Sequence, residues 1–207
     1  MDRSLNRSTV TKTAGDHLTR DKWLDAAFSA AVKGGFSEIK VLSISQDLGV
    51  TRGSFYWHFK SQAELVDALV ERWREKQFSS FEQVSKAFVD DARTDLLLIF
   101  RQAIAFLTPN TGELEFGMAM RAYARNHPDI AQRINEVDRR LTQIIAERYS
   151  LAYPDPVQAR QRGVIFHLVL SGAAHMVTSG YATPDMIANM QRTVVDQLIQ
   201  SIPASQT

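Results

Sequence analysis

The side chains best suited to chemistry lie in one uninterrupted string, Ile44-Ser45-Gln46-Asp47-Leu48-Gly49-Val50-Thr51-Arg52-Gly53-Ser54-Phe55-Tyr56-Trp57-His58-Phe59-Lys60. With a helix opening at Thr51, the string suits recognition of a nucleic-acid duplex. The Thr51 hydroxyl and the free backbone N–H groups beside it can meet a phosphate at the positive helix end. Arg52 is a forked donor able to pair with guanine O6 and N7. Gly53 and Ser54 are small and let the backbone approach a groove. Tyr56, His58 and Lys60 offer donors to phosphate, and Trp57 can pack on sugar or on a thymine methyl. Each residue also has a plainer use. Phe55 and Phe59 are i, i+4 neighbours and belong to a core. Tyr56 and Trp57 could pack against the next helix, His58 could serve as a cation at a helix end, and Lys60 could simply be solvated. It is the whole string, and no single member of it, that favours DNA.

Other chemistries find less support. No Gly-x-Ser-x-Gly, phosphate-cradling glycine loop or His-Glu-x-x-His is present, and Gly53-Ser54 falls inside the recognition helix, so no catalytic residue is assigned and no enzyme is expected. The absence of cysteine excludes disulfides and thiolate metal sites. His167 and His175 lie near one helical face, but no His-x-x-x-His or carboxylate cluster supplies a third ligand. Hydrogen-bonded interface histidines therefore fit them better, and neither metal nor cofactor is expected. No helix pairs a lysine-rich face with an apolar one, which argues against a membrane-surface protein.

With 44% hydrophobic and 23% charged residues the chain has the composition of a globular protein rather than a disordered one. Its formal net charge is +1, yet residues 1–60 carry nine Lys/Arg against six Asp/Glu, and the remainder fifteen against seventeen. A slightly basic head on a mildly acidic body suits contact with a polyanion at one end only. The basic N-terminus lacks the apolar segment of a signal peptide, and the longest apolar stretch, Gly163 to Val177, is broken by two histidines and is shorter than the roughly 20 residues that a bilayer span needs. A cytoplasmic protein is the expectation.

The elements that must position the string are helical throughout, with no hairpin signal. A first helix capped by Thr19, with Leu18 and Trp23 as a hydrophobic staple, shows Leu24, Ala27, Phe28 and Ala31 on one face and stops at Gly34-Gly35. A short second helix buries Val41, Ile44 and Leu48 and ends at Gly49; a third runs from Thr51 to about His58. Ser61 and Glu64 form the capping box of a long fourth helix, with Leu65, Leu69, Trp73 and Lys76 in register. Further helices are expected from a Thr94 cap to Leu107, over about Glu113–Arg125, from Pro128 with the stripe Ile130, Ile134, Val137, Leu141, Ile144 and Ile145, over Val157–Ser179, and from Thr183-Pro184 to Ile202, where Pro203 closes the last. Pro109-Asn110-Thr111-Gly112 is a loop.

Three short helices with glycine at the turn between the second and third are the layout of a helix-turn-helix. In the Gly-Val turn, the Thr-Arg-Gly helix start, Tyr56-x-His58-Phe59 and the capped fourth helix, residues 19 to about 70 closely resemble the tetracycline-repressor (TetR-like, AcrR-type) family of transcription regulators. The resemblance implies an all-α protein with a helix-turn-helix domain at 18–65 and a helical ligand-sensing and dimerisation domain at 66–207. In that family the positions matching Thr51, Arg52, Tyr56, Trp57, His58 and Lys60 face DNA. Lys40, just before the second helix, replaces the usual Ser/Thr and is expected to keep a phosphate contact as a cation.

The resemblance further implies a homodimer, formed through about 157–179 and 184–202, that binds a double-stranded palindromic operator and is released by a small-molecule effector. A regulator of the same fold without any inducer is the alternative. It transfers architecture and not ligand, so pocket residues must come from the sequence. Phe100, Phe106, Phe116, Met118, Met120 and Phe166 offer adaptable apolar walls, and Arg101, Gln102, Arg121, Tyr123 and His167 the few orienting polar groups.

Overall fold

A computed structural model describes residues 19–107 and 111–200, the side chains of the last two excepted; the expectations placed on Leu18, Pro109, Asn110, Ile202 and Pro203 lie outside these residues. Among the described residues the protein is all-α, with nine α-helices and no strand. The head comprises α1 (Arg20–Gly34), α2 (Val41–Asp47) and α3 (Arg52–Phe55). Thr19 occupies the N-cap of α1 and its hydroxyl accepts from Lys22 N–H. A single 3-10 turn, Phe36–Glu38, follows Gly35 and drops Phe36 and Ile39 into the core. Gly49 has φ +66°, the left-handed value that the tight turn between α2 and α3 requires. There Val50 N–H reaches back to the Ser45 carbonyl at 2.9 Å.

The long α4 (Gln62–Ser85) starts as expected: Ser61 Oγ accepts from Glu64 N–H at 3.2 Å, while Glu64 Oε2 accepts from Lys60 N–H at 2.7 Å. Leu65, Leu69 and Trp73 are buried, whereas Lys76 turns outward to pair with Glu113. The start of α5 (Ala92–Phe106) differs from expectation. Its cap is Asp91, whose carboxylate accepts from Thr94 N–H at 2.8 Å; the helix thus begins a turn early, and Thr94 lies inside it. Then come α6 (Glu113–Ala124), α7 (Pro128–Tyr149), α8 (Pro156–Thr178) and α9 (Pro184–Gln200). Prolines occupy the first turns of α7 and α8, and Thr183 Oγ1 accepts from Met186 N–H at the start of α9.

Two buried clusters organise these helices. One joins the head to α4, α6 and the first half of α7, from Trp23 and Phe55 through Trp73 to Phe116, Met120 and Val137. The other binds α5, the rest of α7, α8 and α9 around Phe100, Tyr149 and Phe166. A boundary between 65 and 66 falls inside α4, and the core of the head runs on past it. The seam of α7 and α8 closes on Gly163, where an added Cβ would stand 2.9 Å from the Thr142 carbonyl oxygen. At Gly112 (φ +69°) a Cβ would meet Val32 at 3.0 Å and Phe28 at 3.3 Å, so the entry to α6 sits directly on α1.

Candidate nucleic-acid interface and effector cavity

The head presents one face of α3 and the turn after it. Trp23 meets Phe55 edge-on at 5.3 Å and Phe55 stacks on Phe59 at 5.6 Å, which anchors the inner face. α3 ends at Phe55, short of the expected His58, and the turn after it carries Phe59 back into the core, its N–H bonded to the Phe55 carbonyl at 3.0 Å; Arg52, Gly53, Tyr56, Trp57 and Lys60 are left exposed. Ser54 and His58 are half-buried at the margin. Thr51 is at the N-cap with extended backbone, but its hydroxyl makes no capping bond. Lys40 is the N-cap residue of α2 and extends its ammonium to Glu38 at 3.3 Å, an exposed pair that a competing phosphate could displace at little cost.

Trp57 is 88% exposed and Tyr56 58%. An indole held that far into solvent is not packing against α4. Only the Tyr56 ring touches the core, edge-on to Phe55 at 5.3 Å. Glu64, four residues beyond Lys60, accepts from Lys60 N–H, and Asp47, five residues before Arg52, is exposed at the end of α2. The exposed face carries two cations, a phenol and an aromatic plate, side chains that pair with phosphates and base edges.

In the body the pocket residues expected from the sequence do not share one site. Phe100 and Phe166 meet edge-on at 5.8 Å inside the second cluster and are wholly buried. Phe116 stacks on Phe28 at 4.9 Å, Met120 is buried beside it, and Tyr123 stacks on Phe36 and on His127, so these three hold α6 against the head. Arg101 points to solvent. Arg121 and His167 instead line a hollow of about 350 Å³ walled by Trp73, Phe81, Phe106, Leu107, Met118, Leu141 and Leu170 from α4 to α8. Gln102, whose amide donates to Ser80 Oγ at 3.0 Å, lines a side chamber of about 70 Å³ that shares Gln77, Phe81 and Phe106 with it.

Asp138, which sequence reasoning passed over, is the polar hinge of that wall. Arg121 donates to it twice, at 2.8 and 3.0 Å, and His167 Nε2 stands 3.8 Å from its Oδ1. The available signal was a carboxylate set directly after Val137 within the apolar stripe of α7; its partner lies a helix away and could not be read locally. Burial holds His167 below the usual imidazole pKa, against the opposing pull of Asp138. A larger hollow, about 790 Å³, lies in the groove of α7 and α8 between charged side chains such as Arg139, Glu147 and Arg160, and lacks the aromatic wall of the cavity above.

Residues 24–69 match the model of a family described as bacterial regulatory proteins, tetR family. Over 57 residues the chain is 42% identical to the HTH-type transcriptional regulator TtgR of Pseudomonas putida, covering 28% of this chain and 27% of that protein. The match thus spans about a quarter of that relative's length. Likeness in three dimensions extends much further: a transcriptional regulator from Rhodococcus sp. Rha1 superposes with a TM-score of 0.71 at 17% identity, covering 90% of this chain and all of that one. The transcriptional regulator FadR of Bacillus subtilis, solved in complex with stearoyl-CoA, gives 0.68 at 16% identity over 89% of this chain and 100% of its own. Identities this low speak for the fold alone: residues 24–69 match the tetR family, and the helical body behind them shares the fold of these solved regulators.

Proposed function

We propose that the protein is a transcription regulator, acting as a repressor, that binds a palindromic DNA operator as a homodimer and is released when a small apolar effector enters the body. The observation that carries the first part is the bare Trp57-Tyr56-Arg52-Lys60 face on a rigidly packed head. The dimer is assigned to α8 and α9, whose outer sides leave Val164, Ile165, Leu168, Met186 and Met190 exposed. Apolar rows of that kind mark association surfaces. The cavity supports the effector. No helix among the described residues is long and apolar enough to cross a membrane, in keeping with a regulator that works in the cytoplasm beside its DNA.

Release follows from α4. The helix starts beside the recognition turn at Ser61, and its Trp73, Gln77 and Phe81 form one wall of the cavity. An effector that binds better when this rod is tilted favours the form whose two heads are wrongly spaced for DNA. A differential affinity of about 100-fold, roughly 2.7 kcal/mol, is ample to free a moderately occupied site.

The role of each contact residue can be tested by quantitative binding to operator and to random duplex. Tyr56→Phe and Lys60→Ala are expected to weaken both alike, because phosphate contacts carry no base information. Arg52→Ala should relax the preference at one base pair by about 1–3 kcal/mol. An equal loss on operator and random DNA would make Arg52 a backbone contact and remove it from base reading.

A further inference from the structure

The polar end of the cavity can be assigned hydrogen by hydrogen. Thr142 Oγ1 lies 2.8 Å from the Asp138 carbonyl oxygen and 2.8 Å from His167 Nδ1. A threonine hydroxyl has one hydrogen, and the carbonyl can only accept. The hydroxyl therefore donates to Asp138 O and accepts from His167 Nδ1–H. That places the proton of the neutral ring on Nδ1 and leaves Nε2 a bare acceptor. The 3.8 Å gap between Nε2 and Asp138 Oδ1 agrees: it is too long for a hydrogen bond and suits two acceptors facing each other. The burial that favours the neutral imidazole works in the same direction.

The charges on the wall are already spoken for. Asp138 is bound twice by Arg121, and Glu113 is paired with Lys76. An anionic ligand would compete with the Asp138 carboxylate for the charge of Arg121, and a cationic one would find both wall carboxylates already paired. Among the described residues none donates to His167 Nε2, and a ligand that covers this half-buried acceptor without supplying a donor forfeits about one hydrogen bond.

On the reading that this cavity is the effector site, we propose that the effector is an uncharged, mostly aromatic molecule whose essential polar group is a hydrogen-bond donor, a hydroxyl or N–H, received by His167 Nε2. Trp73, Phe81 and Phe106 supply faces and edges for its rings, and a hollow of about 350 Å³ admits a fused two-ring skeleton.

The test is isothermal titration of the full-length protein with four probes of one skeleton: β-naphthol, its methyl ether, β-naphthoate and β-naphthylmethylammonium. β-Naphthol is expected to bind about tenfold more tightly than the ether, the worth of one buried hydrogen bond, and both ions more weakly than either. His167→Leu removes the acceptor, and the near-isosteric Thr142→Val removes the partner that keeps the proton on Nδ1; in each the preference for the naphthol over its ether should fall to about twofold or less. Equal binding of the two neutral probes, tightest binding of an ion, or a preference that survives both variants overturns the donor assignment while leaving the cavity as an effector site. Binding of none of the four removes both the assignment and the effector reading on which it rests.

Discussion

Leu168→Arg is expected to give a folded monomer whose operator affinity is lower by about a hundred- to ten-thousandfold. Leu168 is 66% exposed on α8, flanked by exposed Val164 and Ile165, while the opposite side of the helix is fixed by buried Phe166 and Ala173. A guanidinium there costs the monomer little, yet at a two-fold interface it would face its own image or an apolar partner without a counter-charge. The loss follows from avidity. Two heads held together make the second half-site an intramolecular event, and separating them forfeits that effective concentration. Ala174 looks like a comparable position from its Gly-Ala-Ala context, but it is half-buried on the cavity wall and would report on the effector instead. Sedimentation, far-ultraviolet dichroism and operator titration check the prediction together. An unchanged dimer would put the interface elsewhere.

The largest effect on stability is expected at Arg148. Asp95 on α5 is fully buried, and its carboxylate accepts from Val89 N–H at 2.9 Å and from Arg148 Nη1 at 3.3 Å. Arg148, on α7, also packs over the Phe88 ring at 4.7 Å and reaches Asp90 at 3.0 Å. Arg148→Met keeps the volume and the stem but leaves a buried carboxylate without its cation, a change worth about 3–5 kcal/mol. Asp90→Asn removes the other partner, which is exposed, and should change stability by less than about 1 kcal/mol. Denaturant unfolding of the two variants separates the cases. A loss at Arg148 no larger than that at Asp90 would mean that Asp95 is served by its backbone donor alone.

The head was legible in the sequence because its rules are local. Gly49 fixes a left-handed turn, Ser61 and Glu64 cap within one turn, and although α3 stops at Phe55 the turn after it still bonds Phe59 N–H to the Phe55 carbonyl, so both phenylalanines are buried and Tyr56 and Trp57 between them are exposed. The cap of α5 went astray because Asp91 and Thr94 are both good N-caps, and the choice between them rests on how the preceding turn packs, with Asp90 at φ +58°. The cavity wall was only partly legible. Phe100, Phe116 and Phe166 are as apolar as Trp73, Phe81 and Phe106, and which aromatics fill a core and which face a hollow depends on how five helices meet. Arg121 and His167 were found as polar breaks in apolar helices, whereas Asp138 and Thr142, which orient them, gain meaning only through contacts with other helices.

The central claim, that two such heads read inverted half-sites of duplex DNA, is tested most directly by selecting bound sequences from a random duplex pool with the full-length protein. The account predicts an enriched near-palindrome whose half-sites are centred about 34–36 Å apart, or a multiple of that. Arg52→Ala should lose the preference at one symmetric pair of positions. A single asymmetric site, or a pool that remains unenriched, would contradict it.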